Sequence, residues 1–259
     1  MSDKHNGGAI DCKGDNLTLK TSSFTNNGAY TGGALYVGST SHNVHVFDCN
    51  FTENYAYGDG GALGLKASSL TINNTRFISN TAEHNGGALY AGGNGTNNSI
   101  SHTVFEKNIA GDHGGAIDWL ASAGDFKYIN FTGNEAIYGG AIYLNGVSSN
   151  SHIANVIFEY NKATKNGGAI DCNASMMGLN NTIFRYNEAG EYGAALCREA
   201  NATGGYGGNN TFIGNYAKIA GAALAWLGVD GIRINNYTFI DNKADESGGA
   251  IFVREDSPN

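Results

Sequence analysis

The chain has 259 residues, with 39 glycines against one proline, 41% hydrophobic and 15% charged residues, and a net charge of −8. So much apolar content with so little charge excludes a disordered chain, and glycine at this level without proline excludes collagen. The acidic balance and the absence of a basic cluster argue against a nucleic-acid partner.

From the N-terminus, Met1–Lys4 runs straight into a repeat without a secretory leader, so the chain reads as an excised piece of a longer protein with Met1 added. The first recurring element is a Gly-Gly-Ala-type turn. It begins at Gly7, Gly32, Gly60, Gly86, Gly114, Gly139, Gly167, Gly193, Gly221 and Gly248, with spacings of 25, 28, 26, 28, 25, 28, 26, 28 and 27. Between successive turns lies F-x-x-N, with Phe at 24, 51, 77, 105, 131, 158, 184, 212 and 239. Its asparagines are Asn27, Asn54, Asn80, Asn108, Asn134, Asn161, Asn187, Asn215 and Asn242, and an alanine stands two residues after each. Repeats occupy about residues 6–253 of one domain, 1–259. Residues 7–113 recur as 114–220 at a constant offset of 107, an internal duplication in which long and short coils alternate. The extra length falls in Val37–His45, Ala91–Ser99, Leu144–His152 and Arg198–Tyr206, polar stretches that read as protruding loops. The longest apolar stretch, Ala220–Val229, is about half a membrane span, so membrane contact is expected only through regions absent from this chain.

A period of this length fits a solenoid. Gly-Gly in every repeat would interrupt helices, and the alternation inside each repeat has period two. Counting from the first glycine, the fourth residue is Ile or Leu, the fifth varies, and the sixth is mainly apolar, as in Leu35, Tyr36 and Val37. A second inward position lies five before each Phe, from Leu19 and Val46 to Leu179 and Ile234, with Gly207 the exception. Three short strands per coil, bent by Gly and Asn, close into an all-β, single-stranded parallel β-helix of about 9–10 coils, right-handed by the crossover rule. Like residues then stack ~4.8 Å apart. The asparagines are expected to form a buried amide ladder and the phenylalanines a core column, and the first glycine of each turn to take the left-handed conformation.

The pairing of G-G-A-[IL] with F-x-x-N resembles the polymorphic outer-membrane protein repeats of chlamydial autotransporter passengers. It is also similar to adhesin-like surface proteins of archaeal methanogens, whose coils carry strings such as "GGAIYW" and "FTNNTA". The matching strings here are Gly114-Gly115-Ala116-Ile117-Asp118-Trp119, Gly139-Gly140-Ala141-Ile142-Tyr143 and Phe24-Thr25-Asn26-Asn27. The resemblance implies an extracellular, cell-surface attached adhesin passenger or stalk. Its motifs are structural, so it carries over no site residue.

Candidate sites come from the residues themselves. The outward column of the Gly-Gly-Ala strand reads Asp11, Tyr36, Gly64, Tyr90, Asp118, Tyr143, Asp171, Cys197, Ala225 and Phe252. Its Tyr and Asp side chains (Asp11, Tyr36, Tyr90, Asp118, Tyr143, Asp171) form a candidate exposed binding face. Rings could stack on sugars and carboxylates accept their hydroxyls, or the face could meet a protein of a host or partner cell. Alternatives are a polysaccharide lyase or inverting hydrolase and a pure spacer. Asp118 and Asp171 would stand ~9.6 Å apart by strand spacing, near the separation used by inverting glycosidases. Tyr143 lies between them, however, and His113 is expected on a turn surface, so a non-enzymatic protein is expected. No cofactor and no metal are expected, because the seven His are scattered and His42 and His45 would face opposite sides of a strand. Cys12 and Cys172 read as inward free thiols, and Cys172 and Cys197 as neighbours one position out of register. Of the sequons at Asn16, Asn73, Asn94, Asn97, Asn130, Asn173, Asn201 and Asn236, those in long loops (Asn94, Asn97 and Asn201) are the expected glycosylation points.

Overall fold

The computed structural model describes residues 5–66, 69–93, 97–200, 202–228 and 233–254. Over these residues the chain is a parallel β-helix in which every strand pairs with its counterpart one coil away. The register follows the repeat: Ile10 opposes Leu35, Phe24 opposes Phe51, and Ala29 opposes Ala56. The coils build four sheets, of ten, eight, nine and nine strands, where alternation alone predicts three. The additional strand is two residues long, Gly28–Ala29 in the first coil, and links the Phe-Asn turn to the Gly-Gly-Ala corner. Two residues are too few to display an alternation, so the recurring alanine is its only trace in sequence.

Side chains aligned by this register build the interior. Consecutive Phe rings from Phe24 to Phe239 stack with centroids 4.8–5.1 Å apart and planes within 12° of parallel. One continuous core runs beside them, from Ile10 to Ile251. The asparagine ladder does more than pair amide with amide. In the middle of the rod, Asn108 donates its backbone N–H and its Nδ2 to Asn134 Oδ1, both at 3.0 Å, and a second Nδ2 proton to the carbonyl of Phe77 at 3.0 Å. The same three bonds recur at Asn54, Asn80, Asn134, Asn161, Asn187 and Asn215. Asparagine is required because one side chain must present an acceptor and two donors together, and the interior offers no water to replace either.

Corners are set by left-handed residues. The first glycine of every turn has φ between 55° and 69°, as its sequence position predicts, and a Cβ on Gly32 would lie 2.2 Å from the carbonyl oxygen of Leu35. The residue before each ladder asparagine is also left-handed, though seven of the nine are not glycine: Asn26, Glu53, Ser79, Lys107, Tyr160, Tyr186 and Asp241. A non-glycine residue there costs about 1–2 kcal/mol. Lys107→Gly, at an exposed corner whose neighbour one coil on is already Gly133, is therefore expected to raise stability. The gain is about 0.5–1 kcal/mol once the greater freedom of the unfolded glycine is deducted, read as an upward shift in the urea midpoint.

Three expectations need correction. Ile234 is not an inward residue: it is 44% exposed, because the second sheet ends at Tyr206–Gly208, where Gly207 presents no side chain to stack on. The long loops do not simply protrude. Ser41, Ser148 and Ser151 are fully buried, and the Ser148 hydroxyl donates to the carbonyls of Trp119 and Ala121. The apolar sixth position is broken by Arg198, which is only 7% exposed. Gly205 makes room for it, since a Cβ there would lie 2.3 Å from the guanidinium.

Candidate binding groove

The Gly-Gly-Ala strands form the ten-stranded sheet, and their outward column is in register from Asp11 to Phe252. It is not an open face. Asp11 is exposed and Tyr36, Tyr90 and Tyr143 are half-buried, whereas Asp118 and Asp171 are 2% and 0% exposed. Cys197 and Ala225 are buried too. The reason lies in the corner. The left-handed glycine folds the preceding segment back beside the strand, so that Thr31, Asp59, Asn85, His113, Tyr138, Asn166 and Tyr192 form a wall along the column. At Gly64 the wall is so close that a Cβ would meet Thr31 Cγ2 at 2.6 Å. The column is in register as expected, but Asp118 and Asp171 are buried rather than exposed.

The wall is itself bonded coil to coil. Asn85 Nδ2 donates to Asp59 Oδ1 at 2.9 Å, and the His113 ring nitrogen Nδ1 lies 3.0 Å from Asn85 Oδ1. His113 is thus half-buried rather than a surface turn residue, stacked against Tyr138 and tilted on Tyr143 at 4.3 Å between centroids. Burial lowers its pKa, so its neutral form is favoured.

From His113 onward the column and wall enclose a cleft of about 400 Å³, lined by His113, Tyr138, Tyr143, Asn166, Asp171, Asn173, Glu199 and Ala200. At its floor Asp171 lies directly across from Cys197 on the next strand, and Glu199 follows Cys197 by two residues on the same side. Asn166 bridges the cleft by donating Nδ2 to Glu199 Oε1 at 2.9 Å. Burial and the Glu199 carboxylate hold the Asp171 carboxyl well above the ordinary range. Burial, then Asp59 and Asp112, do the same for Asp118. The Tyr143 hydroxyl is pushed to about 12 by burial and the charges of Asp171, Asp118 and Glu199. The groove is therefore aromatic, lined by carboxyl groups and half-enclosed. The two aspartates do not meet, because the Tyr143 strand separates them.

Two features escaped the sequence. One is the Asp171, Cys197 and Glu199 cluster, which the register of Asp171 with Cys197 and the two-residue step to Glu199 could have revealed. The other is a pair of exposed tyrosines at the Phe-Asn corner, Tyr160 and Tyr186, stacked at 5.3 Å. All four cysteines are free, and since Cys172 opposes Arg198 while Cys197 opposes Asp171, the two thiols face opposite sides. His42 lies outside the strand Val44–Phe47 and is bonded to Asp15, apart from His45. Asn97 is exposed, whereas the sequons at Asn94 and Asn201 fall outside the described residues.

Comparison with known proteins gives partial matches. A model of the Chlamydia polymorphic membrane protein repeat matches residues 74–92, 155–173 and 236–254, each spanning one Phe-Asn turn and the Gly-Gly-Ala corner after it. The chain is 38% identical over 97 residues (35% of its length) to "Probable outer membrane protein pmp21" and 37% identical over 81 residues (30%) to "Probable outer membrane protein pmp20", both of Chlamydia pneumoniae. It is also 32% identical over 166 residues (62%) to "Metabotropic glutamate receptor-like protein R" of Dictyostelium discoideum. These matches cover 6%, 5% and 10% of the respective relatives, so the chain spans a tenth or less of their length. No solved structure matches it significantly.

Proposed function

We propose that the chain is a stretch of a cell-surface passenger that adheres to a glycan or protein of a host or partner cell through the groove of its ten-stranded sheet, without catalysis. The single observation that carries this reading is the groove: half-buried Tyr36, Tyr90 and Tyr143 in register with the carboxyl groups of Asp11, Asp118 and Asp171 along one sheet. Aromatic rings beside acceptors are the pairing that grips sugar rings or an aromatic-rich protein face. Support also comes from the similarity to proteins named as outer membrane proteins, which fits an extracellular, surface-attached location. Kinship with methanogen adhesin-like proteins belongs to the same proposal, on the strength of the shared repeat strings. The non-catalytic part rests on the separation of Asp118 from Asp171 by Tyr143.

Binding of the purified chain to a glycan panel and to intact cells tests the proposal. Tyr36→Ser, Tyr90→Ser and Tyr143→Ser combined are expected to weaken binding at least tenfold while far-UV circular dichroism stays unchanged. Tyr160→Ser with Tyr186→Ser, at the Phe-Asn corner, is expected to leave binding intact. Loss only with the corner variant would move the site. No binding at all would leave a spacer, and release of reducing sugar that Asp118→Asn abolishes would make the chain an enzyme.

A further inference from the structure

The floor of the cleft contains an arrangement that adhesion alone does not need. Asp171 is fully buried, and neither of its carboxylate oxygens makes a well-formed hydrogen bond, although the Cys172 backbone and the Glu199 carboxyl stand beside it. An ionised carboxylate in that position costs several kcal/mol unless a cation answers it. None of the ion pairs among the described residues includes Asp171 or Glu199. The guanidinium nearest in sequence, Arg198, projects to the opposite face of its strand, where it donates to the Thr203 carbonyl. What does face Asp171 is more electron-rich: one carboxylate oxygen of Glu199 and the Cys197 sulfur, and one donor atom from each of the three lies within 4.8 Å of the other two. Among the described residues no other group of three His, Cys, Asp or Glu converges in this way. The Asn173 Oδ1 beside them is also buried without a partner.

We propose that Asp171, Cys197 and Glu199 bind one divalent transition-metal cation, zinc being the best match, with a fourth position open to the cleft. The donor set selects the metal. A thiolate with two carboxylates is foreign to the hard cations magnesium and calcium, which take oxygen alone, and suits a borderline ion that accepts sulfur and oxygen in a tetrahedral shell. The backbone holds the donors in place. Cys197 and Glu199 project from the same side by the two-residue period, and strand pairing sets Asp171 opposite Cys197. Asn166 fixes the Glu199 carboxylate through its amide, the outer contact that such ligands ordinarily carry. The cleft supplies the entry path and room for a water on the metal. Binding exchanges protons for the metal: the thiol and any protonated carboxyl release theirs to buffer, and the cation then answers the buried charge.

The test uses the purified chain, stripped with chelator and kept reduced. Zinc titrated by calorimetry is expected to bind at one equivalent per chain, with a heat that changes with the buffer's ionisation enthalpy, and to raise the unfolding temperature. Cobalt(II) is expected to give a near-ultraviolet sulfur-to-metal charge-transfer band that Cys197→Ala removes. Alanine is a safe replacement there, because the next coil already carries Ala225 at that position. Glu199→Gln, which keeps an acceptor for Asn166, is expected to weaken zinc at least tenfold. No stoichiometric binding at micromolar zinc would overturn the proposal, and so would binding without the charge-transfer band or of equal strength in Cys197→Ala.

Discussion

Replacing Asn134 by alanine is expected to destabilise the protein by about 3 kcal/mol or more, although the change removes only a small polar side chain. Asn134 is fully buried in the middle of the ladder. Its Oδ1 accepts both the backbone N–H and the Nδ2 of Asn108, and its own Nδ2 donates to the Phe105 carbonyl. Alanine leaves the Asn108 backbone N–H and one Nδ2 proton of Asn108 unbonded (the other still reaches the Phe77 carbonyl) and takes a donor from the Phe105 carbonyl, all in the buried interior, where each unmade bond of this kind costs roughly 1–3 kcal/mol. The neighbour on the other side suffers less, since Asn161 Oδ1 keeps the backbone N–H of residue 134. Asn134→Asp is expected to be no better at neutral pH, because it restores the acceptor while removing both donors. Chemical denaturation of the two variants against the parent measures this. Loss below about 1 kcal/mol for alanine would mean that the ladder does not close the interior.

Phe131→Ala is expected to cost about 3–5 kcal/mol, the range for deleting a fully buried aromatic ring. The ring lies between Phe105 and Phe158, with both centroids 4.9 Å away, and strand pairing holds the backbone on each side at fixed spacing. The cavity therefore cannot collapse, which places the loss toward the upper end. Phe24 and Phe239, each stacked on one side only and half-buried, should cost distinctly less when changed to alanine. A flat cost from end to end would contradict the stack as the source of stability. The graded result, read from urea midpoints, is what a rod with frayed ends requires.

The difference between what was legible in the sequence and what was not has a physical cause. Phe131, Asn134 and Gly139 report their positions because a single residue per coil meets its own copies above and below, so each column selects one residue type. The left-handed role of the first glycine followed from Gly193-Ala194-Ala195, where the second glycine is absent. The strand Gly28–Ala29 stayed hidden because alternation needs more than two residues. The burial of Asp118 and Asp171 stayed hidden for another reason. It depends on a wall whose members, from Thr31 through Asn85 to Asn166, share a position without sharing a chemistry, so nothing in the repeat marks them. Arg198 and Gly205 compensate each other across a loop, a pairing visible only when the space between them is known.

Native-state hydrogen exchange tests the central claim, that matching residues stack coil upon coil with the asparagines closing the interior. The backbone amides of Asn80, Asn108, Asn134 and Asn161 are bonded to asparagine oxygens inside the rod. They are predicted to exchange in the slowest class, by whole-molecule opening, with protection falling toward the first and last coils. Rapid exchange at those four amides under native conditions would contradict the ladder and the stacked coils built on it.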